Sequence, residues 1–139
     1  MILLDTTILS LAYRRHHKVE PEPPAIEILR QMILDDVPLA VPGIVLQEVL
    51  SGVRTEAQFE RLKRLLEAFP IMTAEPRHYV LAAKIANACR RKGVATSTVD
   101  CLIAALATSS DASLFTLDQD FVRMVPLCGM KLFSLQDRA

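Results

Sequence analysis

The chain has 139 residues, 51% apolar and 23% charged, a balance that excludes a disordered polypeptide and suits one globular domain over residues 1–139. Lys plus Arg, 16, equal Asp plus Glu, 16, so no broad positive field exists to hold a polyanion without regard to sequence. The odd cysteine set, Cys89, Cys101 and Cys128, has no CxxC spacing and excludes a disulfide framework or a zinc site.

In chain order, Ile2, Leu3 and Leu4 read as a buried strand that stops at Asp5-Thr6-Thr7, the polar entry to a helix continuing to about Tyr13. The apolar start is not read as a secretory signal, because Asp5 lies inside it and its positive charges follow the apolar stretch. No other run approaches the ~20 apolar residues of a membrane span, so a cytoplasmic protein is expected. Lys18 to Pro24, rich in Pro and Glu, reads as an extended loop.

Ala25 to Leu34 has helical spacing in Ile26, Leu29 and Ile33, and Pro38 to Val41 reads as a second strand. Pro42 is expected at the first position of the next helix, with Leu46, Val49, Leu50 and Val53 as its core stripe and Glu48 beside it. Thr55 to Phe69 is a further amphipathic helix, Ile71 to Thr73 a short strand, and Pro76 to Lys92 a long helix with a basic end. Ser97 is the expected N-cap of a helix to about Thr108, which places Asp100 in its first turn. Ser113 to Leu117 reads as a strand stopped by Asp118, Phe121 to Val125 as a short helix, and Lys131 to Leu135 as a last strand. Short strands alternating with amphipathic helices predict an α/β fold, a mostly parallel sheet with helices on both faces and a site at the carboxyl ends of its strands.

Two segments share one pattern: Ile2-Leu3-Leu4-Asp5 and Leu114-Phe115-Thr116-Leu117-Asp118 each carry a carboxylate past an apolar strand. If those strands are neighbours their acids converge, and Asp100 and Glu48 can point into the same crevice. Four crowded carboxylates repel one another, and a hard divalent cation removes that conflict. An all-oxygen site suits Mg²⁺ or Mn²⁺, and phosphodiester hydrolysis by a metal-activated water is the chemistry that fits. Taken singly three of the acids are ordinary: Asp100 can complement a helix dipole, Glu48 can be helix surface, and Asp118 can be a turn residue, with Asp120 able to replace it; only Asp5, between apolar neighbours, is unusual by itself.

Three basic clusters could guide a polyanion locally: Arg14, Arg15 and Lys18; Arg54, Arg61, Lys63 and Arg64; and Arg90, Arg91 and Lys92. Each also reads as an ordinary solvated helix face or end. His16 and His17 read as exposed histidines after a helix, and His78 as surface or helix entry.

These residues resemble the PIN-domain family, specifically its VapC-type toxin ribonucleases, across essentially the whole chain. The likeness rests on the order of Ile2-Leu3-Leu4-Asp5-Thr6-Thr7, Val45-Leu46-Gln47-Glu48-Val49, Asp100-Cys101-Leu102-Ile103-Ala104-Ala105, and Leu114 to Phe121 with Asp118-Gln119-Asp120. The resemblance implies a three-layer α/β/α fold and an Mg²⁺- or Mn²⁺-dependent endoribonuclease whose acids are Asp5, Glu48, Asp100 and Asp118. Thr6 and Thr116 would be hydroxyls that orient carboxylates or a metal's water, and Asp120 is the alternative fourth ligand. It further implies an RNA substrate, a homodimer and a VapB-like antitoxin, for which the helices Ala25 to Leu34 and Thr55 to Phe69 are the expected docking groove. Two other functions compete. One is a phosphotransferase with Asp5 as covalent nucleophile, which lacks the second Asp two residues on because Thr7 stands there. The other is a non-catalytic PIN-like module that binds RNA or protein.

Overall fold

The computed structural model describes residues 1–14 and 21–135. The expectations for Arg15, His16, His17 and Lys18, and for the start of the loop from Val19, lie outside the described residues.

Ile2–Leu4 form β1, and its apolar run is continuous because the strand sits in mid-sheet with Leu3 and Leu4 fully buried. The other strands are β2 (Leu39–Pro42), β3 (Ile71–Met72), β4 (Ser113–Phe115) and β5 (Lys131–Leu132). All four pairings are parallel and the strand order is β3-β2-β1-β4-β5. The chain moves outward from β1 through β2 to β3, then returns to build β4 and β5 on the opposite side. The order therefore reverses at the β1/β4 junction, where open α/β sheets leave a crevice beyond their carboxyl ends.

Every parallel crossover needs a helix, and the helices pack in two groups. One contains α1 (Thr6–Leu9), α3 (Gly43–Leu50) and α4 (Glu56–Leu66); the other contains α5 (Pro76–Arg91), α6 (Thr98–Ser109) and α7 (Asp120–Cys128). With α2 (Pro24–Leu34) they complete the three-layer α/β/α arrangement. Helix α6 is buried without interruption from Cys101 to Ala107, and its small residues let it lie close against its neighbours. After Leu9 the first helix changes to π-helical geometry over Ser10–Arg14.

Several boundaries differ from expectation for identifiable reasons. Pro42 ends β2 and serves as the N-cap of α3, its backbone extended at ψ 139°, one residue before the first helical position. Strand β4 stops at Phe115, not Leu117, because the next backbone donors turn to hydroxyls: Leu117 N–H to Thr7 and Asp118 N–H to Thr116. Helix α7 is longer than expected and tolerates Pro126 near its end, closing on Gly129 at φ 71°. Strand β5 ends at Leu132, short of Leu135. His78 is at the entry of α5 but is buried, its Nδ1 accepting the Glu75 backbone N–H at 2.9 Å in a capping box.

Candidate metal centre

The β1–β4 register pairs Leu4 with Phe115, so the next residues, Asp5 and Thr116, meet past the last rung of the sheet. The Asp5 N–H still donates to the Phe115 carbonyl at 3.1 Å, which fixes the backbone there. Asp5 is the N-cap residue of α1, yet its side chain does not cap the helix. Its Oδ2 instead accepts from Thr116 Oγ1 at 2.6 Å and from Thr7 Oγ1 at 3.0 Å. A carboxylate only 4% exposed is tolerable because both hydroxyl protons are directed to it.

Those hydroxyls also hold the β4 loop, Thr7 Oγ1 accepting from Leu117 N–H at 2.9 Å and Thr116 Oγ1 from Asp118 N–H at 3.0 Å. Asp118 Oδ1 in turn accepts the Asp120 N–H at 2.9 Å, an Asx-type turn that leads into α7. From the adjacent helix α3, Glu48 Oε1 accepts from Thr6 Oγ1 at 2.8 Å. Asp5 Oδ2, Glu48 Oε1 and Asp118 Oδ1 are thus each tied, and the second oxygen of each makes no hydrogen bond among the described residues.

Asp100 stands in the first turn of α6, whose N-cap is Ser97 as expected; the Ser97 hydroxyl accepts the Asp100 N–H at 3.0 Å. Burial pushes the Asp100 carboxyl above its ordinary range, a hydrogen bond from Ser97 works against this, and the charges of Asp118 and Asp5 push it further up. Carboxylate oxygens of Asp100, Asp118 and Asp120 lie within 4.8 Å of one another. Asp120 is exposed and already paired with Arg123 at 3.2 Å, whereas Asp118 is half-buried. The sequence reason for preferring Asp118, that it directly follows a strand, does not hold, since β4 ends three residues earlier. Its anchored turn and its free oxygen replace that reason.

The structure therefore gathers Asp100, Asp118 and Asp120; Asp5, whose charge acts on Asp100, and Glu48, bonded to Thr6 next to Asp5, stand outside that close group. Sequence reasoning missed Thr7, treating it only as the residue that denies a phosphatase its second acid. Its signal was available: in Asp5-Thr6-Thr7 a hydroxyl two residues past the acid can reach back to it. The donor set suits a hard divalent cation, being oxygen-only, close-spaced, and containing an acid whose ionisation is opposed by its neighbours.

The helices expected to dock a partner, α2 and α4, leave Ile33, Leu34 and Leu65 exposed. A groove of about 830 Å³ lies beside the acids between α3, α5 and α6, and includes Ile44, Ala82, Ala86, Val99 and Leu102 in its lining. Helices α2 and α4 do not line it, and they bury Leu29, Met32, Leu62 and Leu66 in the core. No helix among the described residues is long and apolar enough to cross a membrane.

Comparison with known proteins gives the same family by two routes. The PIN domain model matches residues 2–125. A VapC ribonuclease of Mycobacterium bovis is 30% identical over 138 residues, 98% of this chain and 100% of that protein. Ribonuclease VapC11 of Mycobacterium tuberculosis matches to the same extent. Among solved structures, FitAcB from Neisseria gonorrhoeae superposes with a TM-score of 0.76 at 21% identity, covering 98% of this chain and 99% of that one. VapBC2 from Rickettsia felis, bound to a DNA fragment from its promoter, gives 0.77 at 22% identity, covering 96% and 98%. At those identities the two structures speak for the fold.

Proposed function

Because the chain belongs to the PIN domain family, we propose that it is the VapC-type toxin of a toxin–antitoxin pair, a ribonuclease that hydrolyses single-stranded or looped RNA. The observation that carries this reading is the close grouping of the Asp100, Asp118 and Asp120 carboxylates, with Asp5 tied by Thr7 and Thr116 and Glu48 tied by Thr6. The names of its curated relatives, which cover nearly the whole chain, support the ribonuclease activity.

Asp5, Glu48, Asp100 and Asp118 are the proposed holders of Mg²⁺ or Mn²⁺, with Asp120 the alternative to Asp118. Such an ion, when bound, would supply an acidified water and offset the charge of the scissile phosphate. The protein's own part is geometric. Thr116 and Thr7 fix Asp5, Thr6 fixes Glu48, and the Asp120 N–H fixes Asp118, so these three acids each keep one oxygen available without reorganising. Thr7 also argues against a phosphotransferase, since its hydroxyl is committed to Asp5 and Leu117 where a second acid would be needed.

The proposal includes one domain over residues 1–139, a homodimer and a complex with a VapB-like antitoxin in the cytoplasm. The support for partners is the likeness to VapBC assemblies. The test is RNA cleavage with Mn²⁺ by the native chain, Asp5→Asn and Asp100→Asn, purified identically. Each variant is expected to lose about a hundredfold or more in rate, as removal of a metal-holding carboxylate requires. Equal rates in all three would remove the nuclease reading.

A further inference from the structure

The helices that hold Asp5, Thr6 and Glu48 enclose a second site at their other end. Tyr13 and Arg14 close the π-helical segment that continues α1; Gly52, Val53 and Arg54 follow α3; Gln58, Arg61 and Leu62 come from α4. Together they line a pocket of about 190 Å³. Its three charged residues are arginines, and no carboxylate among the described residues lines it.

The sequence shows Arg14 in one basic cluster and Arg54 and Arg61 in another, and only the fold joins them. Gly52 makes the approach compact: at φ +84° it turns the chain in a left-handed conformation suited to glycine, and a Cβ built there would lie 3.7 Å from Arg14 Nη2. The other members of the second cluster are engaged elsewhere, Lys63 with Glu60 at 3.9 Å and Arg64 with the Glu60 carbonyl at 3.4 Å. Arg30, Arg77, Arg123 and Lys131 also have carboxylate partners. Arg14, Arg54 and Arg61 have none among the described residues, and all three are exposed.

Three guanidinium groups around one small space repel each other, and an anion with several acceptor oxygens is the complement that relieves them. We propose that this pocket binds a backbone phosphate of the RNA, a few nucleotides from the scissile bond; the inference rests on the ribonuclease reading. The pocket and the acids share the α1–α3 seam. Thr6 bridges to Glu48 at one end, and Arg14 meets Gly52 at the other, about 12 Å along the first helix at ~1.5 Å per residue. A chain of zero net charge with acids at its reaction centre draws a polyanion by a local cation cluster, and these three arginines form one.

The experiment measures binding of a fluorescein-labelled single-stranded RNA to the full chain carrying Asp100→Asn, across a potassium chloride series. Arg14→Gln, Arg54→Gln and Arg61→Gln are added in turn, with Arg91→Gln at the end of α5 as a control of equal charge change. Each pocket variant is expected to weaken binding about threefold to tenfold and to reduce the slope of log K against log salt by about 0.7, the value for one single-strand phosphate contact. Arg54→Lys is expected to keep the slope and lose part of the affinity, because the charge remains and the planar fork does not. Circular dichroism is expected to be unchanged in all variants, since the residues are exposed.

Pocket variants that bind RNA no worse than Arg91→Gln would overturn the proposal while leaving the nuclease reading intact. A polyglutamate arm separates the other class of ligand: if polyglutamate binding weakens and RNA binding does not, the pocket belongs to an acidic polypeptide and the RNA assignment is wrong. If the chain with Asp100 restored neither binds nor cuts RNA, the ribonuclease reading fails and takes the pocket assignment with it.

Discussion

Replacing Thr116 by valine is a sharp test of the claim that hydroxyls hold the acids in place. Valine matches threonine in shape, so packing is nearly preserved, but Asp5 Oδ2 loses its 2.6 Å donor and the Asp118 N–H loses its 3.0 Å acceptor. A hydrogen bond to a charged group contributes about 1.5–3 kcal/mol, and a stranded backbone donor costs about 1 kcal/mol or more. Asp5 is 4% exposed and has little water to substitute, whereas Asp118 is half-buried, so a total near 3 kcal/mol is expected. At about 2.1 cal/mol/K per residue of unfolding entropy, a chain of 139 residues should lose about 10 °C in Tm. The assay is thermal and urea unfolding in EDTA of the native chain, Thr116→Val and Thr116→Ser. Serine keeps the hydroxyl and should stay within about 1 kcal/mol of the native chain. A valine variant as stable as the serine variant would refute the hydroxyl as the anchor of Asp5 and of the β4 loop.

The raised pKa of Asp100 sets a pH dependence. Its folded form binds the proton more tightly than the unfolded chain, so its contribution to metal-free stability is best below the ordinary carboxyl value of about 3.9 and declines as pH rises to the folded value. Asp100→Asn should flatten that part of the profile and raise Tm at neutral pH without metal; a profile parallel to the native one would contradict the burial and charge argument. For the fourth acid, Mn²⁺ titration calorimetry should show Asp118→Asn weakening affinity about tenfold or more. Asp120→Asn should cost much less, because Asp120 is exposed and paired with Arg123, and the reverse ranking would assign the role to Asp120.

How much was legible in advance depends on whether a feature is local. Alternation of apolar runs with 3.6-residue stripes placed the strands and helices, because burial of one face imposes that period on the residues themselves. Asp5 was visible for a related reason: a carboxylate directly after a buried apolar strand needs polar partners at the strand's end, and it finds them in Thr7 and Thr116. Ser97 as cap and Asp100 in the first turn of α6 were likewise local statements. Boundaries failed where a side chain competed with the backbone ladder, as Thr7 and Thr116 do past Phe115.

The tertiary structure alone decided who meets whom. Strand order β3-β2-β1-β4-β5 and the Leu4–Phe115 register put Asp5 opposite Thr116, 111 residues away, and no periodicity within either segment encodes that pairing. The same holds for Arg14 beside Gly52, and for the groove between α3, α5 and α6. A segment's composition dictates which face it must bury, but the partner for that face is chosen by the free energy of the whole packed chain. Sequence therefore singled out the acids, while packing brought Asp100, Asp118 and Asp120 together and tied one oxygen each of Asp5, Glu48 and Asp118.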